Sequence, residues 1–208
     1  MKRNIKRTLI IGMLLVGGWA QAQETTNLSQ SFSGGDIAGG DPIGSVFVGD
    51  FNQATPPDDV VSILTVDLNV SGGYASGFYA YLIAPNGTNV TLLNFPGLSD
   101  DPLGIGNTTL GLNLTLADGG PTITSTSDLM NGGTYAPAGS LGSFNGLLAS
   151  GLWTLYFANT TSGGGDATLN SWALHMTLVP EPATIQFLAT FGGLAAVGAW
   201  WRRRWAKP

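Results

Sequence analysis

The chain has no cysteine, and it has no lysine or arginine between residues 23 and 180. Without cysteine there is no disulfide framework, no thiol nucleophile and no thiolate-bound metal. The same segment contains twelve aspartate and glutamate residues, so its formal charge is −12, whereas the whole chain carries −5. A body without cationic side chains has nothing to neutralise a phosphate, which excludes nucleic acid as a partner. It is a strongly acidic body of a kind that suits export.

Histidine is scarce, which restricts acid–base chemistry. His175 is the single histidine of the chain. It lies in "SWALHMTL", where the alternation of Trp172, Leu174 and Met176 predicts that the imidazole faces solvent from a strand. A Ser–His–Asp triad needs a histidine base, and the Gly-x-Ser-x-Gly nucleophile motif does not occur. The sequence therefore predicts that the protein is not an enzyme, with no catalytic residue.

All eight basic residues lie near the two ends of the chain. Four of them precede residue 8, and an apolar run, "TLIIGMLLVGGWA", follows over residues 8–20. Ala20 and Ala22 then supply the small side chains that signal peptidases require. Residues 1–22 are predicted to be a secretory signal peptide that is cleaved after Ala22.

Residues 183–201 form a second apolar run, this time near the other end. They include no charged residue, and as a helix they would be roughly 28 Å long, close to the thickness of a bilayer's hydrocarbon core. A basic tail follows over residues 202–208, and its Arg202, Arg203 and Arg204 would stay on the cytoplasmic side. The run predicts a transmembrane helix that holds the protein in the inner membrane for a time.

Between these ends, short segments alternate apolar and polar residues. "SILTVDLNV" (62–70), "TLGLNLTL" (109–116) and "SWALHMTL" (171–178) each place every second residue on one apolar face. This period of two predicts half-buried antiparallel strands. Asn86-Gly87 predicts a tight turn between two strands, and residues 151–176 are interpreted as a second hairpin. We expect a loose Gly/Ser-rich leader over residues 23–41, then an all-β, jelly-roll-like antiparallel β-sandwich over residues 42–178.

Two adjacent pairs of acids lie next to prolines: Asp58 with Asp59, and Asp100 with Asp101. Solvated turn acids are one interpretation. The other is a calcium site, because loop carboxylates are suitable ligands for that hard cation, although no loop has the twelve-residue calcium pattern. Calcium is the one cofactor that the sequence suggests, and both interpretations stay open.

The aromatic residues divide into core and surface candidates. Trp153 and Trp172 are predicted to face the core rather than to stack on a sugar. Tyr74, Tyr79 and Tyr81 are the better candidates for exposed aromatics, although burial of the last two beneath a second sheet is an alternative.

The motif Val179-Pro180-Glu181-Pro182, followed by an apolar span and an arginine cluster, resembles the PEP-CTERM sorting signal of Gram-negative bacteria. In that family the motif is read by a membrane-embedded exosortase and the tail is thought to be removed. For residues 179–208 the resemblance implies an exosortase as partner and processing near the motif. It also implies delivery to the outer envelope, the cell surface or an exopolysaccharide matrix such as that of a biofilm.

The body resembles a second family, the P domain or Homo B domain of subtilisin-like proprotein convertases. The segments "YAYLIAPNGTNVTLL" (79–93), "GTYAPAGSLGSFNG" (133–146) and "GLWTLYFANTTSGGGDATLNSWALHM" (151–176) are similar to its ordered motifs. The resemblance implies a jelly-roll-like, galactose-binding-like sandwich. The chain departs from the pattern at Gly77-Phe78 and at Asn159, where the family often has aspartate, so a role of those acids in relatives does not transfer.

The leading hypothesis is a non-enzymatic exported protein with a structural or adhesive role at the cell surface or in the matrix. One alternative is a carbohydrate- or calcium-binding module. Another is a stand-alone accessory domain for a separate subtilisin-like protease.

Overall fold

A computed structural model describes residues 25–52, 58–96, 108–123, 129 and 132–180. The described chain consists of ten strands and two short 3₁₀ helices, the latter at Ala75–Gly77 and Leu141–Phe144. The strands are β1 Thr26–Ser33, β2 Asp36–Ile37, β3 Asp41–Asp50, β4 Asp59–Tyr74, β5 Phe78–Ile83, β6 Asn89–Asn94, β7 Leu110–Leu116, β8 Thr134–Tyr135, β9 Leu152–Asn159 and β10 Ala167–Pro180.

The strands form two sheets that enclose one core. Sheet A has the order β1-β10-β4-β7-β8, with β2 paired to the start of β10, and sheet B has the order β3-β9-β5-β6. All pairs are antiparallel except the short pair of β7 with β8. Buried side chains from both sheets belong to a single hydrophobic cluster. The predicted all-β sandwich is therefore confirmed, while its assignment to the jelly roll stays a prediction.

The alternating segments bury the faces that the sequence predicts, with one exception. The apolar side chains on the predicted inward faces of β4 and β10 are buried, as are those of β7 from Leu112 onward. Leu110 is 54% exposed instead. The pairing of β4 with β7 shifts register between Val70 and Tyr74, and Gly111 there adopts a φ of +78°. This irregularity breaks the alternation and turns Leu110 outward.

The two tryptophans of the body lie in the core, as predicted. Trp153 and Trp172 are almost fully buried. The indole N–H of Trp153 donates to the Ala149 carbonyl over 2.9 Å, and its ring meets Phe144 edge to face at a centroid distance of 5.2 Å. Neither indole is available to a ligand at the surface.

The prediction of a loose leader over residues 23–41 was wrong for its described part. Thr26–Ser33 forms β1, which pairs with β10 along its whole length, from Thr26 opposite Leu178 to Ser33 opposite Ser171. Phe32 anchors β1, because the centroids of the Phe32 and Trp172 rings are 4.7 Å apart. Four polar side chains face outward from β1, and that polarity concealed the strand in the sequence.

Of the two predicted hairpins, one exists. The Ala84 N–H donates to the Thr88 carbonyl around the Asn86-Gly87 turn, which joins β5 to β6 within sheet B. Residues 151–176 do not form a hairpin, because β9 belongs to sheet B and β10 to sheet A. The loop between them crosses from one layer to the other, as Greek-key connections in sandwiches do. Periodicity identifies strands but does not say which sheet they join.

None of the described residues forms a helix long and apolar enough to cross a membrane. The predicted span at 183–201 and the signal peptide at 1–22 lie outside the described residues.

Candidate functional site

The predicted sorting motif begins inside the last strand. Val179 pairs with Val60 and Pro180 pairs with Asp59 at the end of β10. Glu181, Pro182 and the arginines at 202–204 lie outside the described residues, as do Ala20 and Ala22. The described sandwich thus extends two residues beyond the boundary predicted at residue 178 and into the motif.

The predicted calcium ligands are only partly described. Asp58 is exposed in the turn before β4, while Asp59, the first residue of that strand, is buried. Asp100 and Asp101 lie outside the described residues. Among the described residues, no three His, Cys, Asp or Glu side chains cluster as metal ligands would. The calcium interpretation stays a prediction.

His175 faces outward from sheet A, as predicted, but it has two partners that the sequence did not reveal. Its Nδ1 lies 2.8 Å from the Ser29 hydroxyl, and its Nε2 lies 2.8 Å from Asp67 Oδ2. The Thr115 hydroxyl donates to the other oxygen of Asp67. These residues come from β1, β10, β4 and β7, so the strand order of the sheet was needed to bring them together.

Ser29, His175 and Asp67 have the residue types of a catalytic triad, and they lie in a row across β1, β10 and β4. An acyl-transfer site needs N–H donors aimed at a developing oxyanion. Strands β10 and β4 are paired on both sides, so their N–H groups are used in the ladders within the sheet plane. Among the described residues, the arrangement is a polar ladder across four strands. It continues with Asn170, whose amide donates to Asn69 over 2.7 Å.

The outer face of sheet B has a different chemistry. Its central row runs across four strands: Val46 opposite Tyr156, Tyr156 opposite Tyr81, and Tyr81 opposite Thr91. The rings of Tyr81 and Tyr156 stack at a centroid distance of 4.5 Å, with 18° between their planes. Tyr79 lies beside both rings. We call Tyr79, Tyr81, Tyr156 and Phe95 the aromatic face.

The phenol of Tyr156 has a raised pKa and donates one hydrogen bond. Burial by neighbouring side chains raises the pKa of Tyr156 above its ordinary value, and the nearby Tyr81, Asp41 and Tyr79 raise it further. The protonated hydroxyl donates to the Pro42 carbonyl over 2.8 Å. This bond holds the ring upright beside Tyr81 and connects the aromatic face to the start of β3.

Phe95 joins this face through a strained backbone. It is the one described residue other than glycine with a positive φ, at 54°. This conformation is costly for a bulky side chain, and such strain is concentrated at functional sites. It places the Phe95 ring 5.8 Å from Tyr79, where it also lines a shallow cavity of about 200 Å³ with Asn94 and Thr122.

Exposed aliphatic side chains border the aromatic face on β3. Val46 and Val48 are 61% and 53% exposed, and both point away from the core. Tyr79, Tyr81 and Tyr156 are half-buried on the same side. The second sheet does not cover Tyr79 and Tyr81, so the surface interpretation of these two residues is the correct one. Tyr156 was missed. In this strand Trp153 and Leu155 face the core, so the alternation places Thr154 and Tyr156 on the outer face.

Asn159, where the chain departs from the P-domain pattern, is fully buried at the end of β9. Its amide N–H donates to the Gly165 carbonyl over 2.9 Å and so fastens the loop that crosses between the sheets. Its Oδ1 has no hydrogen-bond partner within the described part of the chain. Asn159 therefore has a structural role in the crossover. Tyr74 lies against the same loop, beside Gly163 and Gly164, and not on the aromatic face.

Comparison with known proteins gives similarity of shape only. No protein-family model and no curated protein sequence matches the chain. A chain in the crystal structure of the Aeromonas sobria serine protease in complex with a chaperone matches with a TM-score of 0.49 and 16% identity, over 76% of this chain and 28% of that chain. A crystal structure of the serine protease of Aeromonas sobria matches with a TM-score of 0.46 and 17% identity, over 74% and 27%. The chain thus spans under a third of either protein, and neither match assigns it a function.

Proposed function

We propose that the chain is a non-enzymatic exported protein that is sorted by an exosortase-type enzyme and acts as an adhesive or structural component. Its site of action is the outer envelope, the cell surface or the exopolysaccharide matrix of a Gram-negative bacterium. Its folded body is a jelly-roll-like sandwich, and a helix at residues 183–201 holds it in the inner membrane only during sorting.

The observation that carries this proposal is that every described strand lies within the cation-free segment. The first strand begins at Thr26, shortly after the predicted cleavage at Ala22, and the last ends at Pro180, within the sorting motif. Every lysine and arginine lies outside these limits. Processing at both ends would therefore leave an intact acidic sandwich, and the basic residues would stay with the removed segments.

The position of the two strand ends gives further support. Thr26, at the start of β1, pairs with Leu178, near the end of β10. The first and last described strands therefore begin and end at the same end of the sheet A strands. Such an arrangement suits a protein whose two apolar ends both reach one membrane. The aromatic face of sheet B is the adhesive surface in this proposal, because exposed apolar patches on soluble domains mark interaction sites.

The test is fractionation of the native host, with and without the exosortase, combined with mass mapping of the C-terminus. We expect a product that ends near Pro180–Pro182 in the outer envelope or medium, and a full-length protein in the inner membrane when the enzyme is missing. Glu181→Ala is expected to cause the same retention, whereas Thr184→Ala, just beyond the motif, is expected to be sorted normally. Full-length protein in the inner membrane of both strains would contradict the proposal.

A further inference from the structure

We propose that the aromatic face binds an uncharged polysaccharide through the apolar faces of its pyranose rings. This inference rests on the proposed adhesive function and names the ligand class of its surface. Four observations lead to it: the composition of the face, its charge, the strain at Phe95 and the cavity beside that ring.

The composition of the face matches a sugar more closely than an apolar partner. A pyranose ring presents C–H groups on its faces and hydroxyls around its edge. The central row of this face combines apolar and aromatic surface with hydroxyl groups across four strands: Val46, Tyr156, Tyr81 and Thr91. Aromatic rings offer large, rigid contact areas, and tyrosine hydroxyls offer hydrogen bonds at the ring edge. The Tyr156 hydroxyl already donates to the Pro42 carbonyl, so towards a sugar it can only accept.

The charge of the body favours neutral polysaccharides over anionic ones. No lysine or arginine lies between residues 23 and 180, so the face has no cation to pair with a uronate or a sulfate. The acidic body repels such polymers, and Asp41 lies close to Tyr156. An anionic chain is therefore disfavoured and a neutral one is accepted.

The backbone at Phe95 indicates that its ring position serves binding. Glycine or asparagine would adopt a φ of 54° with less strain. The phenylalanine extends the row of rings beyond Tyr79 and forms one wall of the cavity of about 200 Å³. The cavity has room for part of one sugar unit at the edge of β6, with Asn94 and Thr122 as polar groups in its lining.

The experiment is native affinity electrophoresis of the full chain through gels that contain a soluble polysaccharide. The detergent must lack a sugar headgroup, because such a headgroup would compete for the face. The probes are hydroxyethyl cellulose, laminarin and dextran as neutral polymers, and alginate as the anionic one. We expect at least one neutral polymer to retard the protein. The basic residues at the two chain ends can bind alginate, so the expected result for alginate is retardation that Tyr81→Ala leaves unchanged.

Three variants test whether the aromatic face is responsible. Tyr81→Ala is expected to weaken retardation about three- to tenfold, while Tyr81→Phe keeps the ring and most of the binding. Phe95→Gly is expected to weaken binding while the fold is kept, since glycine relieves the backbone strain. Ile63→Ala is the control, because Ile63 is an apolar residue on the outer face of sheet A, where it is 59% exposed.

Several results would overturn the inference: no retardation by any neutral polymer, equal retardation of folded Tyr81→Ala or Phe95→Gly, or retardation by alginate that Tyr81→Ala weakens. Self-association of the protein that Tyr81→Ala abolishes, without sugar binding, would identify the face as a contact between copies and would also overturn it. Each result is independent of the mass mapping, so failure of sugar binding leaves the sorting proposal to its own test.

Discussion

Asp118 connects two parts of the fold that are distant in sequence. One carboxylate oxygen accepts a hydrogen bond from the Leu141 N–H, and the other accepts from the Gly142 N–H and the Ser140 hydroxyl. Burial acts to raise the pKa of Asp118, but these three bonds outweigh it, so the pKa lies below its ordinary value. The carboxylate therefore caps the 3₁₀ helix at Leu141–Phe144 from the loop after β7.

Asp118→Asn weakens these hydrogen bonds and is expected to lower the free energy of unfolding by about 1 kcal/mol at neutral pH. The effect is no larger because Asp118 is exposed and solvent screens its carboxylate. A lowered native pKa gives stability that is present above about pH 4 and is lost as pH falls through the native value. The difference between wild type and variant should therefore shrink below about pH 4. Urea unfolding between pH 2.5 and 7 measures it.

Asp58→Asn is the control for this prediction, because it removes the same charge from an exposed turn. A difference between wild type and Asp118→Asn that stays constant with pH would contradict a role for the ionised carboxylate.

At the level of elements, β1 depends on one aromatic side chain. Phe32 contacts Trp172 and meets Phe51 edge to face at 5.4 Å. Phe32→Ala is expected to lower the free energy of unfolding by about 2 kcal/mol, less than for a fully buried phenylalanine, and to loosen β1 from β10. Urea unfolding gives the first value, and hydrogen exchange over residues 26–33 gives the second.

Ser31→Ala changes an outward-facing residue of the same strand and should alter the unfolding free energy by less than about 0.5 kcal/mol. Unchanged hydrogen exchange in Phe32→Ala would show that backbone pairing alone holds β1.

The strands with one clearly apolar face were predictable, because alternation reports burial directly. That reasoning located the buried residues of β4 and β10 and both core tryptophans. It failed for β1. The inward residues Leu28 and Phe32 of this strand are separated by the polar Gln30, and its outward residues are mostly serines, so no clear apolar face is visible in the sequence. It also failed for the crossing between β9 and β10, since periodicity contains no information about which sheet a strand joins.

The candidate site was predictable only in part, for the same reason. Tyr79 and Tyr81 follow from the alternation of β5, but their neighbour Tyr156 comes from a strand far away in sequence. The contacts of His175 with Ser29 and Asp67 depend on the strand order of sheet A. The positive φ of Phe95 has no sequence signal, because phenylalanine rarely adopts it.

At the scale of the whole molecule, the absence of lysine and arginine from residues 23–180 determines how the stability of the sandwich responds to salt. Within the described residues the one contact of ion-pair geometry is that of His175 with Asp67, and it is charged only when His175 is protonated. Added sodium chloride therefore screens repulsion among acids and breaks few attractive pairs. We expect the melting temperature to rise by several degrees between 10 mM and 300 mM sodium chloride, in a thermal scan at pH 7. A fall over this range would contradict the prediction.

Calcium chloride at matched ionic strength separates screening from specific binding. A calcium site would raise the melting temperature beyond the sodium chloride value and would give heat in calorimetry after chelator treatment. Equal melting temperatures and no heat would eliminate the predicted calcium site.

The central position of β10 has a mechanical consequence. This strand is bonded to β1 on one side and to β4 on the other, and the sorting motif begins at its last residues. A pull on the chain beyond Pro180 runs along the strand and loads both ladders in shear, so many hydrogen bonds must break together. While the protein is held through that end during sorting, tension from the membrane therefore acts on a strand that is bonded on both sides.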